Sequence, residues 1–216
     1  MCQKMLNVSN KNLKKLNKIQ TLFWDFDGVI MDSNTVRDRG FEEVLKDYPQ
    51  PEIDALMDFH RRNGGLSRYV KFRYFFEDIR RESITEAEVN IWADKFSKIM
   101  MQLLTNPELL IQETLNFIKA NAEKYIMHIV SGSDQTELRL ICKSLDIAKY
   151  FNSIHGSPTP KNNLVADLLQ AHSYNKSTCL LIGDSKNDFE AAQENGIHFM
   201  GYGNEKIKED TDYKLF

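Results

Sequence analysis

Residues 21–33 read TLFWDFDGVIMDS, and this stretch decides the fold. It begins with a short apolar run of strand-forming residues that gives way to a polar turn, which predicts a buried strand. Asp25 and Asp27 follow at alternate positions, so a strand places both carboxylates on the same face. Gly28 then permits a tight turn that exposes the two acids.

The two neighbouring carboxylates repel each other and resist desolvation unless a cation or a proton lies between them. A site of few carboxylate oxygens suits Mg2+. A solvated Asp-x-Asp-Gly turn explains the same residues about equally well, because aspartate and glycine are common in turns. The pair alone therefore leaves two interpretations open, a metal site and a simple turn.

The composition sets the class of protein. The chain has 216 residues, of which 42% are hydrophobic, enough for one domain or one domain with an insertion. A net charge of -3 gives no basic field for nucleic acid, and no apolar run approaches the roughly 20 residues of a membrane span. The amino end does not read as a secretory signal, and three distant cysteines suit a reducing compartment. We expect a cytoplasmic protein, without nucleic-acid or membrane partners, that is a monomer or a weak homodimer.

A helical segment follows the first strand. Residues 34–104 contain no short apolar strand run, and their apolar residues recur at helical spacing. Gly64 and Gly65 separate two of the expected helices, and Thr85 with Glu88 matches a capping box at the start of another. We predict a four-helix insertion, with helices over residues 34–47, 51–62, 66–81 and 85–104.

Residues 68–76, RYVKFRYFF, interleave basic and aromatic side chains. Such a pattern occurs in nucleic-acid surfaces and in strands. Tyr69, Phe72 and Phe76 also fall at positions i, i+3 and i+7, which lie on one face of a helix. We favour core packing of this face over a nucleic-acid surface.

From residue 106 onward the pattern alternates between helix and strand. We predict helices over residues 107–120, 134–145, 161–171 and 186–195, and strands over residues 125–130, 178–182 and 197–200. A further short helix is predicted over residues 10–18, before the first strand. Alternating strands and helices imply an α/β fold with a parallel sheet covered on both faces. Ligands of such sheets bind at the carboxyl ends of the strands.

Polar residues stand at three of these strand ends or helix starts. Residues 131–134, SGSD, can offer backbone N–H groups and a hydroxyl to an anion, although a helix N-cap explains them equally well. Lys161 follows an extended loop at a helix start, where it either faces a bound anion or is solvated. Asp184 and Asp188 share one face around another helix start, and an aspartate at an N-cap is ordinary. Their conjunction is more informative than any single member.

These residues resemble the motifs of the haloacid dehalogenase superfamily. The similarity is to the branch with an α-helical cap after the first strand, which includes phosphoglycolate phosphatases and β-phosphoglucomutase. It rests on DFDGV at 25–29 with DS at 32–33, on Gly183-Asp184 with Asp188, and on Ser131. The resemblance implies a Rossmann-like, three-layer parallel-sheet core over residues 1–33 and 105–216, and a four-helix cap over residues 34–104.

The third motif of the superfamily departs from its usual pattern here. Relatives with this cap often carry Lys-Pro-x-Pro, whereas residues 157–160 of this chain read SPTP. Lys161 follows at once, and we expect it to supply the missing ammonium group from the helix start.

The resemblance also implies roles for the acidic residues. Asp25 would attack phosphorus and form an aspartyl-phosphate, and Asp27 would act as general acid and base. Mg2+ would be held by the Asp25 carboxylate, the Asp27 main-chain carbonyl and Asp184. Asp188 would steady Lys161 or metal-bound water, and we count it with the metal site.

The expected substrate-binding residues lie on four loops. Ser131 and Lys161 would bind the transferring phosphoryl oxygens and are counted as catalytic. Gly28 and Gly132 would bring their turns close to the substrate. The loop before the third predicted helix matches the one that relatives lower over the site, and its expected contacts are Gly65, Ser67 and Arg68. An ordinary helix connection with Ser67 as N-cap is the alternative.

The predicted function is that of an Mg2+-dependent phosphatase acting on a small phosphorylated metabolite, with a sugar phosphate as one expectation. Two alternatives stay open, a phosphomutase and a regulator that binds phosphate esters without turnover. Mutases of this branch carry a histidine where this chain has Arg37, which weakens the first alternative.

Overall fold

A computed structural model describes residues 18–203 of the chain, so nearly all of the helix predicted over residues 10–18 lies outside the described part. Its strands are β1 (Thr21–Trp24), β2 (Ile126–Asp134), β3 (Ser153–Ser157), β4 (Cys179–Gly183) and β5 (His198–Gly201). Its helices are α1 (Asn34–Val44), α2 (Gln50–Arg62), α3 (Arg68–Tyr74), α4 (Glu86–Leu103), α5 (Gln112–Asn121), α6 (Gln135–Ser144), α7 (Lys161–Ala171) and α8 (Lys186–Asn195).

The five strands form one parallel sheet in the order β3, β2, β1, β4, β5. Strand β1 is central, and its register sets Trp24 beside Ile129 of β2 and Ile182 of β4. The three strands therefore end at the same edge of the sheet. The residues that follow them are brought together there, as expected for a parallel α/β sheet.

Helices cover both faces of the sheet. Alternate residues of a strand point to opposite faces, and β1 accordingly places Leu22 and Trp24 in one apolar cluster and Phe23 in another. Helices α7 and α8 contribute to the Phe23 cluster, while α5 and α6 contribute to the other. This three-layer α/β architecture confirms the predicted fold class.

Helices α1 to α4 lie between β1 and β2 in the sequence, where a four-helix insertion is predicted. An aromatic cluster joins them, with the Phe41 ring 4.4 Å from that of Phe96 and 5.4 Å from that of Phe72. Phe72 and Phe76 are buried, as predicted for the aromatic face. Tyr69 differs, because it is only half-buried and its hydroxyl donates a hydrogen bond to Asp134, 2.8 Å away. The Tyr69 hydroxyl thus has a polar partner, and the side chain is not part of the buried core.

Several elements differ from their predicted bounds. The helix predicted over residues 66–81 is α3 followed by a π-helical turn, Phe75–Ile79. The segment over residues 107–120 begins as a 3-10 turn, Pro107–Leu109, before α5. Strand β3 was not predicted, because SIHGS lacks both an apolar run and a regular alternation. Strand β2 also continues beyond residue 130, where it was predicted to end, to Asp134, which was predicted as the first residue of a helix.

Two further expectations concern the cysteines and membranes. Cys142 and Cys179 are free and fully buried, which agrees with core packing. Within residues 18–203, the helices are too short or too polar to cross a membrane.

Candidate active site

Three acidic side chains meet at the carboxyl edge of the sheet. Asp25 follows β1, while Asp184 and Asp188 follow β4, the strand hydrogen-bonded to β1. The Asp25 N–H donates to the carbonyl of Ile182 at 2.9 Å, which fixes the turn after β1 against β4. One carboxylate oxygen from each of the three aspartates lies within 4.8 Å of the others. This spacing allows one cation to be shared by all three.

The electrostatics of this acidic trio favour a cation. Burial, followed by the nearby Asp188 carboxylate, raises the pKa of Asp25 well above its usual range. The same two causes raise the pKa of Asp184 to about 7. Like charges held together out of water disfavour ionisation. A divalent cation would remove that cost, and carboxylate oxygens are ligands that Mg2+ accepts.

Lys161 is the first residue of α7 and is 3% exposed. Its ammonium group donates to Asp25 Oδ1 at 2.8 Å and also to Asp188 Oδ1. Burial alone would lower the pKa of Lys161, but the charges of Asp188 and Asp25 more than offset it and raise the pKa. The lysine therefore stays charged beside Asp25, at the position predicted despite the altered third motif.

Asp27 faces away from the acidic trio. Its Oδ1 accepts from Arg37 Nε at 2.6 Å and from the Ser33 hydroxyl, and its Oδ2 accepts from the Ser133 hydroxyl at 2.5 Å. Burial would raise the pKa of Asp27, but Arg37 and the two hydroxyls lower it overall. The Asp27 side chain is thus a carboxylate held in one orientation. The metal contact expected of Asp27 uses its main-chain carbonyl and not this side chain.

A charged network extends from Asp27 into the inserted helices. Arg37 Nη1 donates to Glu137 Oε1 at 3.2 Å, and Arg68 donates to both oxygens of Glu137 at 2.5 and 2.8 Å. Arg68 also donates to the Ser97 hydroxyl at 2.6 Å. Glu137 was missed by sequence reasoning, because a glutamate in the first turn of a helix is ordinary. Only its 2% exposure and its partners distinguish it.

Glycines allow the loops of the site to approach closely. Gly28 has φ +76°, and a Cβ placed there would lie 2.0 Å from Asp184 Oδ2. A Cβ on Gly132 would lie 2.1 Å from the carbonyl oxygen of Gly65. Both positions exclude a larger residue. Gly28 thus brings its turn against Asp184, and Gly132 brings the β2 loop against the loop before α3.

The loop before α3 contacts the sheet edge. Asn187 Nδ2 donates to the Gly65 carbonyl at 3.1 Å. Ser67 is the N-cap of α3 and accepts from the Val70 N–H, as the alternative interpretation of this loop expected. Ser131 is 1% exposed, and its hydroxyl accepts from the Ser133 N–H at 3.1 Å.

A cavity of about 690 Å³ lies between the inserted helices and the sheet edge. This volume suits a small metabolite. The cavity lining includes seven residues predicted for the site, namely Asp25, Asp27, Gly65, Arg68, Ser131, Gly132 and Asp184. Lys161 and Asp188 are buried against Asp25. A smaller cavity of about 350 Å³ lies near Arg73 and contains none of the aspartates of the site.

Comparison with known proteins agrees with this geometry. The family model of the haloacid dehalogenase-like hydrolases matches residues 22–202. A phosphorylated carbohydrates phosphatase of Thermotoga maritima is 24% identical over 187 residues, 83% of this chain and 82% of that protein. A phosphoglycolate phosphatase of Aliivibrio fischeri is 23% identical over 190 residues, with the same two coverages. The crystal structure of a β-phosphoglucomutase from Clostridium difficile superposes with a TM-score of 0.70 at 16% identity, covering 90% of this chain and 89% of that one.

The chain belongs to the haloacid dehalogenase-like hydrolase family, since the family model spans most of its length. This confirms the family inferred from the sequence motifs. The solved relative shares this parallel-sheet α/β fold.

Proposed function

We propose that this chain is an Mg2+-dependent phosphatase of small phosphorylated metabolites, with sugar phosphates as the first class to test. The observation that carries the proposal is the buried Lys161 ammonium beside Asp25, Asp184 and Asp188 at the carboxyl edge of the sheet. The broader class, a phosphoric monoester hydrolase, agrees with the family and with two relatives that are phosphatases.

The residues present fit a resident magnesium ion. Asp25 and Asp184 would hold it with carboxylate oxygens and Asp27 with its main-chain carbonyl, while Asp188 would support the site through Lys161. Burial and then the neighbouring Asp188 charge raise the pKa values of Asp25 and Asp184, and a bound cation would offset both effects. When bound, Mg2+ would neutralise charge on the phosphoryl group.

The protein residues divide the chemistry between them. Asp25 would attack phosphorus as the ester bond to the leaving oxygen breaks, giving an aspartyl-phosphate. Asp27, a carboxylate in the ligand-free protein, would pass the proton of a phosphate monoanion to the leaving oxygen and later take one from the water that hydrolyses the intermediate. Lys161 and Ser131 would hold the phosphoryl oxygens, so that catalysis is mostly positioning and electrostatics.

The helices of residues 34–104 would act as a cap over a core made from residues 1–33 and 105–216. The cavity between these two parts would hold the leaving group and exclude water. Gly65, Ser67 and Arg68 would form the loop of the cap that lies nearest the substrate. We propose that the enzyme works in the cytoplasm as a monomer or a weak homodimer, since its two buried thiols suit a reducing compartment.

A hydrolysis screen tests the proposal. Purified protein is incubated with phosphorylated sugars, nucleotides and small phosphorylated acids, with Mg2+ or with EDTA, and released phosphate is measured. We expect turnover of at least one small phosphate ester with Mg2+ and loss of that turnover with EDTA. Binding of esters without turnover would favour the regulator, and activity that survives EDTA would refute the metal-dependent mechanism.

A further inference from the structure

Lys71 of α3 is a buried cation that the proposed phosphoryl chemistry does not use. The residue is 4% exposed and lines the cavity of about 690 Å³. Its ammonium group has no hydrogen bond or ion pair with any residue between 18 and 203. The nearest aromatic contact is the Phe41 ring, whose centroid lies 5.8 Å away. A buried ammonium without a carboxylate partner is costly, so its presence calls for an explanation.

The charges around Lys71 do not balance it. Arg37 and Arg68 lie nearby and are already paired with Asp27 and Glu137. Burial, then the Arg37 charge, lower the pKa of Lys71 to about 7. The position is therefore short of one negative charge.

The other charged groups near Lys71 do not supply that charge. Asp38, on α1, is within 3.0 Å of both His60 Nε2 and Arg61 Nε of α2. Burial, followed by the Lys71 charge, lowers the pKa of His60 to about 3, so this imidazole is neutral. Asp38 is therefore paired with Arg61, and it acts on Lys71 only from a distance.

Besides Lys71, the Arg37 guanidinium has a donor that makes no hydrogen bond with the described residues. Arg37 Nη2 is buried without a hydrogen-bond partner among the described residues, although Nε and Nη1 of the same guanidinium are both used. Buried guanidinium N–H groups normally find acceptors. Arg37 and Lys71 both line the cavity, so both positive charges would attract an anion that enters it.

Lys71 lines the cavity from the side of the inserted helices. It belongs to the inserted helices, whereas Lys161, the cation beside the nucleophile, comes from the sheet edge. The phosphoryl group at Asp25 already has Lys161, Ser131 and the metal in the proposed mechanism. An anion at Lys71 is therefore a different group of the same substrate.

We propose that Lys71, with the Arg37 guanidinium beside it, forms a second anion subsite, so that the preferred substrate carries a carboxylate or a second phosphate besides the ester that is hydrolysed. This inference rests on the proposed phosphatase function and narrows its substrate class. A buried, charge-assisted contact gives strong selection, because a neutral analogue leaves the buried donors unpaired.

Matched substrate pairs test the subsite. 3-Phosphoglycerate is compared with glycerol 3-phosphate, and fructose 1,6-bisphosphate with fructose 6-phosphate, each with Mg2+. The selectivity is the ratio of kcat/KM for the doubly anionic member to that for its partner. We expect a ratio of about ten or more in at least one pair for the wild type, and a fall of about tenfold or more in Lys71→Met. The first pair reports a carboxylate and the second a phosphate.

Lys98→Met is the matched control, because Lys98 is an exposed lysine on the neighbouring helix α4. Its ratios should equal those of the wild type. A wild type without preference in either pair, or a Lys71→Met enzyme with unchanged ratios, overturns the subsite. Lys71→Gln provides a second neutral variant, and unfolding of both variants would assign Lys71 a structural role and overturn the subsite as well.

Binding separates this inference from the proposed function. If the wild type hydrolyses none of the four esters, the phosphatase proposal fails for these substrates, and the subsite is judged by calorimetry. Phosphonoacetate should then bind about tenfold or more tightly than methylphosphonate, and Lys71→Met should remove the difference. Equal binding of both phosphonates by the wild type would overturn the subsite independently of turnover.

Discussion

Arg37 Nε donates to Asp27 Oδ1 at 2.6 Å, and the same guanidinium reaches Glu137 Oε1 at 3.2 Å. One arginine of α1 therefore compensates two buried carboxylates, Asp27, which is close to Asp25 in sequence, and Glu137 of α6. Removing one member of such a buried network leaves the other members as unpaired buried charges. The resulting loss of stability is larger than the net stability that the intact network provides relative to apolar residues.

We expect Arg37→Met to lower the free energy of unfolding by about 3 kcal/mol, the low end of the range for breaking a buried ion pair. The low end applies because Asp27 keeps two hydroxyl donors and Glu137 keeps Arg68. Urea denaturation measures the change.

Arg61→Met serves as the control for Arg37. Arg61 pairs with Asp38 at 3.0 Å, but its side chain is 57% exposed. An exposed pair of this kind contributes at most about 1 kcal/mol. Equal losses in the two variants would show that the Arg37 network does not behave as a buried one.

The Lys71 ammonium predicts a dependence of stability on pH. Its pKa falls from the ordinary 10.5 to about 7 on folding, because of burial and the nearby Arg37. Below pH 7 the lysine is protonated in both states, and the full cost of its burial is present. Between pH 7 and 10.5 the unfolded state binds more protons than the native state, so stability rises with pH. Asp27, Asp38 and Arg68 also act on this group.

Lys71→Met should therefore stabilise the ligand-free protein at pH 6. We expect Tm to rise by about 2–8 °C, which corresponds to about 1–2 kcal/mol for a chain of this size. The gain should shrink at pH 9.5, and Lys98→Met should show neither effect. A lower Tm for Lys71→Met at pH 6 would mean that the ammonium group has a stabilising partner.

Gly28 offers a test of the acidic trio that leaves its aspartates in place. An alanine there is strained at φ +76°, and its Cβ would lie 2.0 Å from Asp184 Oδ2. We expect Gly28→Ala to displace Asp184 and to raise the Mg2+ concentration for half-maximal turnover by about tenfold or more, the size of effect seen when groups that orient metal ligands are lost. Phosphate release against Mg2+ concentration measures it.

Gly196→Ala is the control for backbone strain. Gly196 has φ +66°, but the nearest atom to an added Cβ is Lys176 Cδ at 3.9 Å. Both alanines should cost about 1–2 kcal/mol of stability for the left-handed backbone, and only Gly28→Ala should change the response to Mg2+. An equal response in the two variants would show that Gly28 acts through the backbone alone.

The parts of the fold that could be predicted are those with a local cause. Strand β1 is a short apolar run, and the acids after β1 and β4 are adjacent in space because parallel neighbouring strands end at one edge. The helix start alone left Lys161 open between a site residue and a solvated lysine, and only the family resemblance assigned it to the site. Strand β3 was missed because its five residues carry no periodic signal.

The network around Asp27 could not be predicted, because its contacts join residues far apart in sequence. Arg37 and Glu137 are separated by 100 positions, and Arg68 and Glu137 by 69. Each is an ordinary charged residue on an amphipathic helix, and such residues are usually solvated. Lys71 was missed for a similar reason, because the aromatic residues of its segment, residues 68–76, determined the predicted helical pattern.

Replacement of Asp25 by asparagine tests the central claim most directly. Asparagine keeps the size of the side chain and removes the nucleophilic charge, so release of phosphate from the best substrate in Mg2+ should fall by about a thousandfold or more. The far-UV circular dichroism spectrum should be unchanged, and Tm should not fall, because the raised pKa of Asp25 marks a charge that is costly to bury. An Asp25→Asn enzyme that keeps most of its phosphatase rate would contradict the account.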